Sequence, residues 1–278
     1  MKSFLKIIMI FLCSLMILLK DVQAKELPLK NQVIVIDPGH GGFDNGAIEY
    51  GYNEDEINLS VSQVLKKQLE EKGATVYLTR DGDYDMTERN YNYSKQDDMY
   101  LRVKKIDSYQ ADYLISIHQN ASGSSHAWGS QVFYYYRSEK GKELAHDIDE
   151  QLKTVTHSKK PISGCGFRVL RATKTLGVLI ECGFMSNYNE NGQLRSKAYQ
   201  KKLCSQITKG LITYNEKKEL EEKKEISKKY LQTFYKKIFL NKILQKKVKK
   251  LLTGKKVHGI LLGQLINGPV AQLVRAHP

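Results

Sequence analysis

Apolar positions along the chain recur with two periods. Val33, Ile34, Val35 and Ile36 form a short continuous apolar run, the pattern of a strand covered on both faces. Ile57, Val61, Val64, Leu65 and Leu69 then recur at helical spacing. Asn53 is placed to cap that helix, with Glu56 three residues on as in a capping box, and Gly73 to stop it. Residues 75–79, 113–117, 130–135, 167–170 and 178–180 are expected to be further strands. Leu144, Ala145, Ile148 and Leu152 mark a second helix, and Tyr199, Leu203, Ile207 and Leu211 a closing one. Strands alternating with helices predict one α/β body over residues 27–215, with a largely parallel sheet covered by helices on both faces. The stretch 81–98 carries several tyrosines and acids and has no period. A loop this long in a compact domain is often functional, the alternative being a surface insertion.

Both ends differ from this body. Lys2 and Lys6 precede an apolar run over residues 7–19, followed by Val22-Gln23-Ala24. This order predicts a signal peptide over residues 1–26 and hence an exported protein. The run is shorter than the roughly 20 residues that cross a membrane, and an uncleaved N-terminal anchor is the alternative. At the other end, residues 216–278 form a lysine-rich tail. It carries 16 Lys and Arg against 5 Asp and Glu, so +11 of the net +14 lies there and +3 in the other 215 residues. The basic character therefore says little about the body, which shows no nucleic-acid reading module, and no nucleic-acid partner is expected. Ile226, Tyr230, Phe234 and Ile238 recur every four residues between lysine pairs, a basic amphipathic pattern suited to an anionic membrane or wall polymer. A second reading comes from the terminal residues 268–278, Gly-Pro-Val-Ala-Gln-Leu-Val-Arg-Ala-His-Pro. They back-translate to the start of an isoleucine-type transfer-RNA gene, which makes the tail a read-through product.

Composition narrows the class further. The chain is 41% hydrophobic and 27% charged, which favours a packed core over disorder. Of its four cysteines, Cys13 lies in the leader and Cys165, Cys182 and Cys204 in the body. An odd count with no C-x-x-C pair implies neither a full disulfide framework nor a cysteine-rich zinc site.

Four chemistry-bearing groups stand at or just beyond the apolar runs. His40 lies in Asp37-Pro38-Gly39-His40-Gly41-Gly42, and Glu54 opens the first helix. His118 is expected to end its strand, in Ser116-Ile117-His118-Gln119-Asn120-Ala121, and Glu181 to end its own, in Ile180-Glu181-Cys182-Gly183-Phe184. Ligands of open α/β sheets bind beyond the carboxyl ends of the strands. Two imidazoles and one carboxylate make a catalytic zinc set that leaves a fourth position open. Hydrolysis also needs a carboxylate near the metal but not on it, as general base, and Glu181 is the remaining candidate. Glycines at 39, 41 and 42 let the chain turn tightly around His40. On residue types alone, structural roles stay open: Glu54 favouring a helix N-terminus through its dipole, and Glu181 pairing with a cation.

Residues 36–42, 54–59, 116–121 and 179–187 resemble the four signature blocks of the zinc-dependent N-acetylmuramoyl-L-alanine amidases, in the same order, over about residues 32–214. The resemblance implies a single α/β domain with a mixed, mostly parallel sheet. It implies Zn2+ held by His40, Glu54 and His118, with Glu181 catalytic. The reaction implied is hydrolysis of the amide between the lactyl group of N-acetylmuramic acid and L-alanine, so the partners are muramic acid and the stem peptide of peptidoglycan. Residues 81–98, Tyr93-Ser94-Lys95, Leu101-Arg102-Val103 and Trp128-Gly129-Ser130-Gln131 look most like the germination-specific subgroup, which implies the spore cortex, where stem-peptide removal precedes muramic lactam formation. Cys182 departs from the pattern, since an apolar residue is commoner there; it is read as an extra ligand or as a small core hydrophobe. Arg80, Arg102, Asn120 and Arg171 are candidates for touching the stem peptide, with ion pairs and loop hydrogen bonds as the alternative. A zinc peptidase cutting within the stem peptide and an inactive wall-binding module are the competing functions.

Overall fold

The computed structural model describes residues 26–87 and 94–253. The leader expected over residues 1–26, all but Glu26, and the transfer-RNA-like end lie outside the described residues, as do Tyr91 and Tyr93. The elements run β1 (Val33–Pro38), β2 (Ile48–Glu49), β3 (Tyr52–Asn53), α1 (Glu54–Glu70), β4 (Thr75–Leu78), α2 (Lys95–Ser108) and β5 (Tyr113–Asn120). They continue with β6 (Gln131–Tyr135), α3 (Glu139–Thr156), β7 (Ser163–Cys165), α4 (Arg168–Arg171), β8 (Leu176–Phe184), α5 (Tyr188–Arg195) and α6 (Lys197–Thr253). Six strands form one sheet in the order β4-β1-β5-β8-β6-β7. All neighbours are parallel except β6 and β8, which run antiparallel. The sheet is thus mixed and mostly parallel, as the resemblance implies.

Side-chain alternation along β1 explains why the sheet is covered twice. Ile34 and Ile36 face one side, with Ile57, Val61 and Leu65 of α1, Ile148 of α3 and Ile207 of α6. Val35 faces the other, with Ile106 of α2 and Val169 of α4. Each such side chain contributes about 1.5–3 kcal/mol when removed from water, so a strand with no polar face is stable only between two layers.

Three expectations are corrected. Asn53 does sit at the N-cap of α1 with an extended backbone, but its side chain makes no cap hydrogen bond, so the capping box is not formed. The first N–H groups of the helix are satisfied by loop carbonyls instead: Glu54 N donates to Ala47 O at 2.9 Å and Asp55 N to Asn45 O at 3.2 Å. Residues 167–170 are not a strand. Arg168–Arg171 is a short helix that buries Val169 and Leu170, and the edge strand β7 precedes it. Two adjacent apolar residues fit either state. Finally, β5 and β8 run past His118 and Glu181, to Asn120 and Phe184, so neither group ends its strand.

Contacts divide the chain into a unit ending at Lys217 and a second beginning at Lys218. Within the first, Leu203, Ile207 and Leu211 of α6 are fully buried. In the second, Ile226, Tyr230 and Phe234 lie on the helix and are exposed. No described helix is long and apolar enough to cross a membrane.

Candidate active site

Strands β4 and β5 pair with opposite edges of β1. Helices α1 and α2 pack on opposite faces of the sheet. The chain therefore diverges at the carboxyl end of β1, the place where open α/β sheets bind ligands.

His40 stands in the loop that leaves β1. Its φ is +62°, followed by +120° at Gly41 and +63° at Gly42. A non-glycine residue in this region carries strain of about 1–3 kcal/mol and persists only where its surroundings enforce it. Two buried arginines do so here. Arg102 donates from Nη1 to Pro38 O at 2.8 Å and from Nη2 to His40 O at 2.9 Å. Arg80 donates from Nε to Pro38 O at 3.1 Å and from Nη2 to Gly39 O at 2.9 Å. Arg102 is balanced by Asp37, 2.8 Å away, and by Asp98 at 3.4 Å. Asp37 also accepts from Thr79 Oγ1 at 2.7 Å and Ser116 Oγ at 2.9 Å. Arg80 and Arg102 thus shape the loop from inside, the alternative weighed for them above.

Glu54 draws the two imidazoles together. Its Oε1 lies 3.1 Å from His118 Nδ1 and 3.3 Å from His40 Nε2. The same oxygen accepts from Gln119 N at 3.1 Å and Asn58 Nδ2 at 3.2 Å, while Oε2 accepts from Ala47 N at 3.0 Å. Burial alone would raise the Glu54 carboxyl; hydrogen bonds from His118 and His40 outweigh it and hold the group far below the usual carboxylate range. Burial lowers His40, but the carboxylates of Asp44, 2.9 Å from Nδ1, and Glu54 prevail and push it up to about 9. The backbone of Gly39 approaches His118 closely, and a Cβ there would fall 2.2 Å from the ring. Donor atoms of His40, Glu54 and His118 all lie within 4.8 Å of one another. Two imidazoles around one carboxylate form a donor set that fits a divalent transition metal.

Glu181 stands next to this cluster, opposite His118 across the β5–β8 ladder. It is not among the converging donors. Its Oε2 is buried and takes no hydrogen bond among the described residues. Burial and the Glu54 charge push its carboxyl up to about 7 against the opposing pull of His118 and His40. Cys182 belongs to the core, fully buried with Ile180 and Cys204, and its thiol is pushed up by burial. It is the small core hydrophobe, not an extra ligand.

Sequence reasoning missed the groups that support the cluster: Asp37, Asp44, Asn58 and Gln119. Asn58 carried a signal, a polar residue four positions after Glu54 on the buried stripe of α1. Asp44 carried none, since it sits in an aperiodic loop.

Comparison with known proteins gives this geometry a family. Residues 34–213 match the family model described as N-acetylmuramoyl-L-alanine amidase. The chain is 37% identical over 195 residues to the germination-specific N-acetylmuramoyl-L-alanine amidase of Bacillus subtilis, covering 68% of this chain and 81% of that one. It is 33% identical over 190 residues to the amidase LytC of the same organism, covering 67% of this chain and 36% of LytC. Among solved structures, the CwlD amidase of Clostridioides difficile, in complex with the GerS lipoprotein, aligns with TM-score 0.62 and 32% identity over 66% of this chain and 98% of that one. The catalytic domain of CwlV from Bacillus (Paenibacillus) polymyxa aligns with TM-score 0.58 and 28% identity over 66% and 97%. The match spans the whole sheet and every residue of the His40, Glu54, His118 and Glu181 cluster, and the chain belongs to the N-acetylmuramoyl-L-alanine amidase family.

Proposed function

We propose that the chain is an exported, zinc-dependent amidase that removes stem peptides from peptidoglycan of the spore cortex. His40, Glu54 and His118 are the zinc ligands in this reading, Glu181 the general base, and residues 27–215 the catalytic domain. The observation that carries it is the convergence of two imidazoles and a carboxylate within 4.8 Å, with Glu181 in register beside His118. The cortex assignment is supported by similarity to the germination-specific amidase of Bacillus subtilis.

Zinc, when bound, supplies Lewis acidity that lowers the pKa of water to roughly 7 and polarises a carbonyl. The protein's own groups do the rest. Asn58, Gln119 and Ala47 fix the Glu54 carboxylate, and Asp44 orients the His40 ring from behind. Glu181 takes a proton from water as its oxygen attacks the lactyl carbonyl carbon. It hands that proton to the amide nitrogen as the C–N bond breaks. The products are a lactyl carboxylate on muramic acid and the free amino group of L-alanine. A carboxylate that stands beside the cluster with a free oxygen, as Glu181 Oε2 does among the described residues, is placed to accept that proton and return it.

Incubating the zinc-loaded chain with cortex and vegetative muropeptides, with products read by mass spectrometry, tests this. Free N-terminal L-alanine from cortex fragments is expected. Cleavage between two amino acids would make the protein a zinc peptidase, and binding without turnover a wall-binding module.

A further inference from the structure

The groove that holds His40, His118 and Glu181 has a volume of about 320 Å³. It is also lined by three cations, Lys95, Arg102 and Arg168, and by an apolar wall of Met99, Phe167 and Leu179. Most charges in it are already paired. Asp37 and Asp98 take Arg102, and Asp44 takes His40 and Lys95, the latter at 2.8 Å. Among the cations, Arg168 is the exception. Its guanidinium makes one long hydrogen bond, Nη1 to Gln96 O at 3.4 Å, and no ion pair among the described residues. Phe167 beside it is 41% exposed and braced by Phe133, with ring centroids 5.4 Å apart. An arginine that faces a groove without a carboxylate of its own, next to a firmly seated aromatic wall, is arranged to receive a carboxylate from outside. A planar guanidinium does so through two parallel hydrogen bonds, which a lysine cannot reproduce.

Resting on the amidase reading above, we propose that Arg168 is the specificity-determining cation of the stem-peptide groove. It pairs with the α-carboxylate of the γ-linked D-glutamate that follows L-alanine, while Met99, Phe167 and Leu179 take up the apolar parts of the peptide. The enzyme therefore distinguishes stem peptides with a free α-carboxylate from those in which it is an amide.

The test compares full-length zinc-loaded wild type, R168Q and R168K on muramoyl tripeptides carrying either the carboxylate or the amide. A charge-assisted hydrogen bond predicts a tenfold to hundredfold rise in KM for R168Q on the carboxylate substrate, with kcat within about twofold and the preference over the amide lost. R168K is expected to recover part of it. Calorimetry with the free tripeptide L-alanyl-γ-D-glutamyl-diaminopimelate, the expected product, provides a readout independent of turnover and should weaken by the same factor. Unchanged KM, unchanged carboxylate-to-amide ratio or unchanged peptide binding in a folded R168Q overturns the proposal. A wild type that releases no L-alanine amine from any muropeptide sinks the amidase reading instead, and the peptide-binding arm still decides the role of Arg168.

Discussion

His118 and Glu181 are register partners on adjacent parallel strands, β5 and β8. The ladder fixes the spacing of a proposed metal ligand and a proposed base by backbone hydrogen bonds, not by loops. Replacing one side chain there should leave the other in place. Glu181→Gln is expected to keep zinc stoichiometry and thermal stability while kcat falls by about 10²- to 10⁴-fold, the usual contribution of a general base. Metal analysis beside steady-state kinetics checks this. A fully active variant would remove Glu181 from the mechanism.

Gly39 tests the other side of His118. A methyl group at this position would meet the ring at 2.2 Å, so Gly39→Ala must displace either the imidazole or the loop. The variant should fold and lose zinc affinity by at least about tenfold, the range seen when ligand-orienting contacts are disturbed. Competition with a chromogenic chelator measures it.

Metal uptake should release protons. His40 is pushed up to about 9 in the metal-free protein, so it is protonated at pH 7, whereas a ligand must be neutral. Calorimetry in buffers of differing ionisation enthalpy should then give different apparent heats. Identical heats would contradict the assignment of His40 as a ligand. The sign for stability follows from the same shift. A histidine raised above its unfolded value of about 6.5 stabilises the metal-free fold fully below that pH, and the contribution is lost as pH rises through about 9. Chelator-treated protein should therefore melt at lower temperature at pH 9.5 than at pH 6, and zinc should narrow the difference.

The strands that carry the site were legible because their sequences permit little else. Residues 33–36 and 178–180 are apolar on both faces and 113–117 are so but for Ser116, and His40, Glu54, His118 and Glu181 follow from their neighbourhood and from the resemblance. Helix α2 was not legible. Its inward stripe is Asp98, Arg102 and Ile106, so the helical period is written mostly in charge and an apolar search passes over it. Arg80 and Arg102 were visible as arginines, but their burial could not be read locally. Their partners are the carbonyls of residues 38–40, more than forty and sixty positions away.

Asp37 and Arg102 provide a stability test. Burial alone would raise the Asp37 carboxyl, but the Arg102 charge and the Thr79 and Arg102 hydrogen bonds hold it below the ordinary value. Its contribution is present above the unfolded pKa and is lost as pH falls through the lower folded one. Asp37→Ala leaves the buried Arg102 guanidinium with only the more distant Asp98, 3.4 Å away, which should cost up to about 3–5 kcal/mol. Urea unfolding at pH 7 and pH 3 should show a large loss at the first and a smaller one at the second.

The second unit begins at Lys218, beyond the family match that ends at residue 213. Truncation after Lys217 should leave kcat/KM on soluble muropeptides within about twofold. A large loss would show that the lysine-rich segment takes part in catalysis.

The two guanidiniums under residues 38–40 have a consequence for how the enzyme acquires its ion. All their bonds to the loop are made by the chain itself, so the conformation that presents His40 does not depend on the metal. Little chain entropy remains to be lost when the ion arrives. On the proposed zinc reading, the metal-free chain should thus be a durable, fully folded species that takes up its ion at a rate limited by proton departure rather than by folding.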